Sequence, residues 1–310
     1  MAGFKVEKVL VTGVAGGLGR LVARRLQHQH QVIGADSKRW RQSPPGITIY
    51  PVDLRKREFE DVVRRERPNA VVHLGFIRHF RGEPSERHGV NVGGTRLLID
   101  HCVKYGVERL VVLSSGYVYG ALPENPYQLD EEVPLSASRS YPEIRDLVEV
   151  DSLASAAIWR HPELATSVLR PVNVLGPTIE SLVRAYLAQL RVPTVLGFDP
   201  LMPFIHEDDL ATAISLTVDR RLRGVYNVVG PGEVPVHTAI AETGGSAWPI
   251  PDPPARWLFE RLFGLNILPY PAGLLDFLKF PVSLAGERFV EATGFRCQYG
   301  LPEIFESVRR

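Results

Sequence analysis

The stretch Lys8-Val9-Leu10-Val11-Thr12-Gly13-Val14-Ala15-Gly16-Gly17-Leu18-Gly19-Arg20 decides the fold of this chain. An apolar run leads straight into a glycine-rich turn, and Leu18, Leu21, Val22 and Leu26 follow at helical spacing. The pattern predicts strand, tight loop, helix. Gly13, Gly16 and Gly19 stand three apart, so backbone without side chains can turn sharply and let an anion approach the helix N-terminus, where free N–H groups and the dipole favour negative charge. Taken alone, such glycines could make a strand-to-helix turn that binds nothing. Their context points further. Gln31-Val32-Ile33-Gly34-Ala35-Asp36 forms a second strand ending in a carboxylate roughly twenty residues beyond the loop, where it can accept hydrogen bonds from an adenosine ribose. The loop, with Gly17 and Leu18 inside it, therefore predicts a dinucleotide site.

The 310 residues, 45% hydrophobic and 23% charged, suffice for one large α/β domain and a smaller lobe. A net charge of +1 calls for no nucleic acid. The basic clusters Arg55-Lys56-Arg57 and Arg64-Arg65 are interleaved with acids and read as solvated helix faces. Cys102 and Cys297 lie far apart, without metal-ligand spacing or a disulfide framework, which fits a reducing cytoplasm. No apolar signal core precedes the first strand. The greasiest segment, Trp257–Leu284, is broken by Pro269, Pro271 and Pro281 and by Glu260, Arg261, Asp276 and Lys279, so no membrane span is expected.

Strand and helix signals alternate through the first half, the mark of a parallel sheet covered on both faces. Strands are predicted at 8–12, 31–36, 47–51, 70–75, 109–114 and 165–170. Helices are predicted at 17–29, 55–66, 86–105 and 141–160, with a long loop at 121–140. Farther on, the pattern predicts helices at 178–191 and 206–218, a strand at 224–229, and an irregular lobe of prolines and aromatics at 231–285. A strand returning late implies interleaved units. Residues 1–175, with 205–230 returning, form the dinucleotide-binding unit; 176–204 and 231–310 form the substrate lobe.

Several short motifs occur in a fixed order: the glycine loop, Val52-Asp53-Leu54, Val72-His73-Leu74-Gly75, Asn91-Val92-Gly93-Gly94-Thr95, Ser114-Ser115-Gly116-Tyr117-Val118-Tyr119-Gly120, Arg170-Pro171-Val172-Asn173-Val174-Leu175-Gly176-Pro177, Phe204-Ile205-His206-Glu207-Asp208-Asp209 and Tyr226-Asn227-Val228. Over nearly its whole length the chain resembles an extended short-chain dehydrogenase/reductase of the NAD-dependent epimerase/dehydratase family. Within that family it is similar to bacterial UDP-glucose-4-epimerase-like proteins. The resemblance implies a Rossmann-type doubly wound parallel sheet with a smaller C-terminal substrate lobe.

It also implies roles. Gly13, Gly16, Gly17, Leu18, Gly19, Asp36, Asp53, Leu54, Leu74 and Gly75 would meet the cofactor. Asp53 would reach the adenine amine, although an aspartate there could instead cap the helix at 55. His73 lies within an apolar strand and reads as a satisfied core histidine, and Asn91 as a backbone tie. Ser115 stands at the C-terminal end of the central strand, where open α/β sheets bind ligands, and would bond the substrate oxygen.

Tyr141 is the candidate acid/base. The family pairs this tyrosine with a lysine one helical turn on, which holds the nicotinamide ribose and favours tyrosinate. Here that position is Arg145 and Pro142 intervenes. Proline is tolerated in a first helical turn, so a helix starting near Ser140 would keep Tyr141 and Arg145 on one face. Gly116, Tyr117, Asn173 and Met202 join Ser115 on the substrate side. In sugar-nucleotide epimerases an arginine occupies the place of Met202, and a late Arg-Pro-Gly-Asp contact to the diphosphate has no counterpart here. Trp248, Trp257, Phe259, Phe263, Phe277 and Phe280 enrich the lobe instead, most of them expected in its core.

The expected cofactor is NAD, because Asp36 would repel a 2′-phosphate. Lys38 and Arg39 leave NADP as the lesser alternative. Three activities compete: a sugar-nucleotide epimerase or dehydratase, a dehydrogenase or reductase on a hydrophobic alcohol or ketone, and a non-catalytic dinucleotide-binding protein. The partners expected are a small-molecule substrate and a second copy of the chain. The family resemblance implies a homodimer paired through the helices at 86–105 and 141–160.

Overall fold

A computed structural model describes residues 7–80, 83–265 and 271–309. Seven strands form one parallel sheet: β1 (Lys8–Thr12), β2 (Gln31–Asp36), β3 (Thr48–Pro51), β4 (Ala70–His73), β5 (Arg109–Leu113), β6 (Ala165–Pro171) and β10 (Gly224–Val228). Their order is β3-β2-β1-β4-β5-β6-β10, with every pair parallel. This is the Rossmann-type α/β arrangement. The winding reverses between β1 and β4, and the crevice at such a switch point is where open parallel sheets take ligands. β4 and β5 are buried throughout, as continuous apolar strands between two helical layers must be.

The helices of the first half are α1 (Gly17–Leu26), α2 (Arg57–Glu66), α3 (Pro84–His88), α4 (Gly94–Lys104), α5 (Ala137–Ser140) and α6 (Arg145–Arg160). α7 (Leu182–Leu187), α8 (Glu207–Asp219), α9 (Val236–Glu242) and α10 (Asp252–Gly264) follow. α8 packs against α1, so the late segment rejoins the large sheet together with β10. A small sheet joins β7 (Asn173–Leu175) and β11 (Gly232–Pro235) through β9 (Leu201–His206). β8 (Arg191–Val195) pairs with β12 (Ser246–Ile250) in a two-stranded ribbon. Only Val172 separates β6 from β7, so the chain steps from the large sheet to the small one at the edge where Ser115 stands.

Four expectations change. The helix predicted at 86–105 begins at Pro84, whose missing N–H costs nothing at a helix start, and passes through a π-helical turn at Gly89–Gly93. The helix predicted at 178–191 shortens to α7. The lobe at 231–285 is more regular than its prolines suggest: Pro253 and Pro254 stand in the first turn of α10, and Pro249 lies in a two-stranded ribbon, both places that tolerate proline. Of the prolines expected to break the 257–284 segment, Pro269 lies outside the described residues. Among the described residues no helix is long and apolar enough to cross a membrane.

The fourth change bears on the site. No helix runs through Tyr141. α5 ends at Ser140, Tyr141 adopts φ −134° and ψ 78°, a 3-10 turn covers Pro142–Ile144, and α6 begins at Arg145. A residue before proline is driven from the α region toward extended backbone. The expected shared helical face of Tyr141 and Arg145 is therefore absent.

Candidate active site

The glycine loop turns between β1 and α1. Gly13 sits at φ +70°, and a side chain there would collide with the backbone of Leu74 and Gly75. A Cβ on Gly19 would lie 2.2 Å from the Gly13 carbonyl oxygen. Both positions require glycine for the turn to close. Gly16 caps α1 without a side-chain hydrogen bond and no acid stands in the first turn, so Gly17, Leu18 and Gly19 open a helix whose leading amides carry no side-chain partner. This is the cradle an anionic pyrophosphate fits.

Asp36 ends β2 beside it. One carboxylate oxygen accepts the Ala15 N–H at 2.9 Å and the other the Lys38 N–H at 2.8 Å. Leu54 and Leu74 are buried, and the Leu54 side chain approaches Gly75. The two ends of the switch point thus meet over Gly13 and Gly75. Asp53 does not cap α2, which begins only at Arg57. Its carboxylate accepts the Arg55 N–H at 2.9 Å and the Arg55 guanidinium at 2.7 Å, and that pairing holds it below the usual carboxylate range. His73 bonds Thr12 at 2.7 Å and Thr95 at 3.0 Å, fully buried. Burial, aided by the charge of Arg78, pushes its pKa down to about 3, so it is a neutral core residue. Asn91 clamps both backbone groups of Ile77, in the segment after β4.

Ser115, Gly116, Tyr117, Asn173 and Met202 come from three separate segments and line one cleft. Pro171, Val172, Leu201, Pro203, Phe277, Val282 and Leu284 complete its wall. The free space is about 30 Å³, room for about two waters. The Ser115 hydroxyl accepts the Tyr117 N–H at 3.2 Å. Tyr117 donates its own hydroxyl to Asn173 at 2.8 Å, and Asn173 donates to the Pro203 carbonyl. Leu284 packs on Gly116, where a Cβ would meet it at 2.8 Å.

Tyr141 is 1% exposed, and its hydroxyl has no hydrogen-bond partner among the described residues. Burial holds its pKa well above the ordinary tyrosine value; Glu143 and Tyr117 add to that, and Arg87 opposes it. The proton therefore stays on the phenol. The expectation that Arg145 biases Tyr141 toward tyrosinate does not match this arrangement: Arg145 is exposed at the start of α6, beyond the helix break. An orphan buried hydroxyl is costly unless a ligand completes it.

Two features were not read from the sequence. Arg78 follows β4; its Nη2 donates to the Leu113 carbonyl at 3.4 Å, at the end of β5, and its guanidinium lies 5.7 Å from the Phe76 ring centroid. Water reaches it, yet surrounding chain lowers its pKa to about 10. Behind Ser115, the Ser114 hydroxyl donates to Asp151 at 2.5 Å, Arg170 grips Asp151 at 2.7 and 2.9 Å, and Arg170 also donates to the Tyr119 hydroxyl, which donates to Asn227. This buried network ties β5, β6, β10 and α6 together and fixes the strand end from which Ser115 projects. Of the lobe aromatics, Phe259 is core, Phe277 lines the cleft and Phe263 and Phe280 are half-buried, whereas Trp248 and Trp257 are 56% and 61% exposed.

Comparison with known proteins agrees with the architecture. An uncharacterized protein of Mycobacterium tuberculosis is 27% identical over 253 residues, spanning 78% of this chain and 67% of its own length. The structure of MoeE5 with UDP-glucuronic acid and NAD superposes with a TM-score of 0.77 at 23% identity, covering 97% of each chain. UDP-glucose 4-epimerase of Thermus thermophilus in complex with NAD gives 0.76 at 24% identity, again over 97% of each chain. These two share the fold. The model of the NAD dependent epimerase/dehydratase family matches residues 9–229, from the first strand of the large sheet to its last. By that match the protein belongs to the NAD-dependent epimerase/dehydratase family.

Proposed function

We propose that this protein is an NAD-dependent oxidoreductase acting at a carbinol or carbonyl carbon of an uncharged substrate with apolar flanks. One observation carries the reading: none of the described residues lining the cleft is charged. A diphosphate taken from water needs cationic partners, and Met202, 6% exposed, offers none. The second reading, a sugar-nucleotide epimerase or dehydratase, draws support from the UDP-glucuronic acid held by MoeE5. With the cofactor saturating, cyclohexanone should raise the melting temperature and UDP-glucose should not, because a ligand that binds only the folded state stabilises it. The reverse result returns the sugar-nucleotide reading to first place.

In this reading Gly13, Gly16, Gly17, Leu18 and Gly19 receive the pyrophosphate, Asp36 the adenosine ribose, Asp53 and Leu54 the adenine side, and Leu74 and Gly75 the floor. When bound, the cofactor donates or accepts hydride at the substrate carbon. Ser115 orients the substrate oxygen. Tyr141 gives up or takes its proton, and its orphan hydroxyl suits a group completed only by ligand. Arg145 is assigned to the nicotinamide ribose rather than to tuning Tyr141. Gly116, Tyr117, Asn173 and Met202 shape the substrate side. Residues 1–175 with 205–230 serve the dinucleotide; 176–204 and 231–310 serve the substrate. A homodimer through α4 and α6, which expose Leu97 and Trp159, belongs to the same proposal.

A further inference from the structure

The 3-10 turn Pro142–Ile144 separates Tyr141 from α6, and Arg145 beyond it is exposed. The guanidinium that spans this break comes from α3. Arg87 donates from Nε to the Asp146 carboxylate at 2.9 Å and from Nη2 to the Glu143 carbonyl at 3.3 Å. Asp146 lies in the first turn of α6 and Glu143 in the 3-10 turn, so one planar fork holds both sides of the join. The same guanidinium lies 5.4 Å from the Phe80 ring centroid, within cation–π range. The Phe80 ring packs 5.6 Å from that of Tyr141. Arg87 thus bears on Tyr141 from two sides, through the backbone two residues on and through the ring beside it.

The Arg87 and Asp146 side chains are only 13% and 10% exposed, so salt screens the pair little. The other Asp146 oxygen meets His88 Nδ1 at 3.2 Å. Around the phenol, burial, Glu143 and Tyr117 oppose ionisation and Arg87 favours it. Arg78, on the segment that carries Phe80, turns to the Leu113 carbonyl, and His79 is exposed. On the 3-10 turn Ala272–Leu278, Gly273 abuts the Tyr141 ring, and Asp276 is paired with Arg256 and Lys279.

We infer that Arg87 is the positioning residue for Tyr141: from α3 it braces the break that Pro142 imposes, and it supplies the positive charge that a lysine on the tyrosine's own helix supplies in the family. This rests on the reading of Tyr141 as acid/base and names what serves it. A cation near a phenol favours the ionised form and so eases transfer of its proton. An ammonium is a point charge, whereas the guanidinium fork bonds two partners in fixed geometry, which suits a join that no continuous helix stiffens.

The test needs no substrate. Difluorotyrosine, whose phenol ionises nearer neutrality, replaces Tyr141 in the full chain and is titrated by fluorine NMR. Arg87→Met and Arg87→Gln should each raise its pKa by at least about half a unit, the scale of one nearby charge. Arg87→Lys, which keeps the charge, should hold the parent value within about half that shift. Arg145→Ala should leave it in place. An unmoved pKa in the charge-free variants overturns the proposal, as does a rise in Arg87→Lys equal to theirs, a larger rise in Arg145→Ala, or a parent phenol that does not titrate while the chain stays folded. Either charge-free variant decides if the other does not fold. An unmoved pKa with turnover still lost in Tyr141→Phe overturns the role of Arg87 alone; full turnover in Tyr141→Phe overturns the acid/base reading and this proposal with it.

Discussion

The Asp36 carboxylate accepts the Ala15 N–H at 2.9 Å, tying the end of β2 to the glycine turn. Its second oxygen is held by the Lys38 N–H, so the negative charge stays beside the loop. A 2′-phosphate would meet that fixed charge. NAD should therefore bind at least tenfold more tightly than NADP, and Asp36→Asn should narrow the gap. Calorimetric titration with both cofactors checks this. Tighter NADP binding by the parent would mean that Lys38 or Arg39 governs the choice.

Tyr141→Phe separates catalysis from stability. The hydroxyl is buried without a partner among the described residues, so removing it should leave urea-unfolding stability unchanged or raise it by about 1 kcal/mol. Turnover should fall by at least about a hundredfold, the scale of general acid–base catalysis. A loss of stability larger than about 1 kcal/mol would indicate a structural hydrogen bond instead.

Charges near Tyr141 make a second separation. Arg87 lowers the Tyr141 pKa against the larger opposing effect of burial, so Arg87→Met should move the pH–rate profile alkaline. Arg145→Ala should weaken NAD binding without moving that profile. An alkaline shift in Arg145→Ala alone would restore the lysine-like role to Arg145.

His73 links stability to pH. Its folded pKa is depressed to about 3, below the ordinary 6.5. Between those values the unfolded chain binds a proton that the folded chain refuses, so the stabilisation is complete above about pH 6.5 and is lost as pH falls toward 3. The slope from this residue alone approaches about 1.4 kcal/mol per pH unit. Urea midpoints measured from pH 7 to 4 should fall less steeply in His73→Gln than in the parent.

The parallel sheet and the glycine loop were legible because both are written in local periodicity: β1, β2 and β5 are apolar runs, and the loop residues are contiguous. The cleft was legible only as a set of candidates. Ser115, Asn173 and Met202 meet because β6 hands the chain to β7 across Val172, a tertiary event. The helix break at Tyr141 was written in Pro142, but the four-residue spacing to Arg145 suggested a shared face that pre-proline backbone denies. Arg78 and the Asp151–Arg170 pair left no local signal, since a single arginine in a loop and an acid on a helix acquire meaning only from what folds against them. Phe277 differs from Phe259 in no sequence property, only in which wall it faces.

The most direct test of the account is transfer of deuterium from NADH labelled at nicotinamide C4 with the deuteride in the transferable position to a ketone, read by mass spectrometry of the product alcohol. The account predicts one deuterium at the carbinol carbon with the parent protein. It predicts none with Ser115→Ala or Tyr141→Phe, although both variants still bind the cofactor. Absence of transfer to any uncharged ketone, together with epimerisation of UDP-glucose by the same preparation, would contradict it.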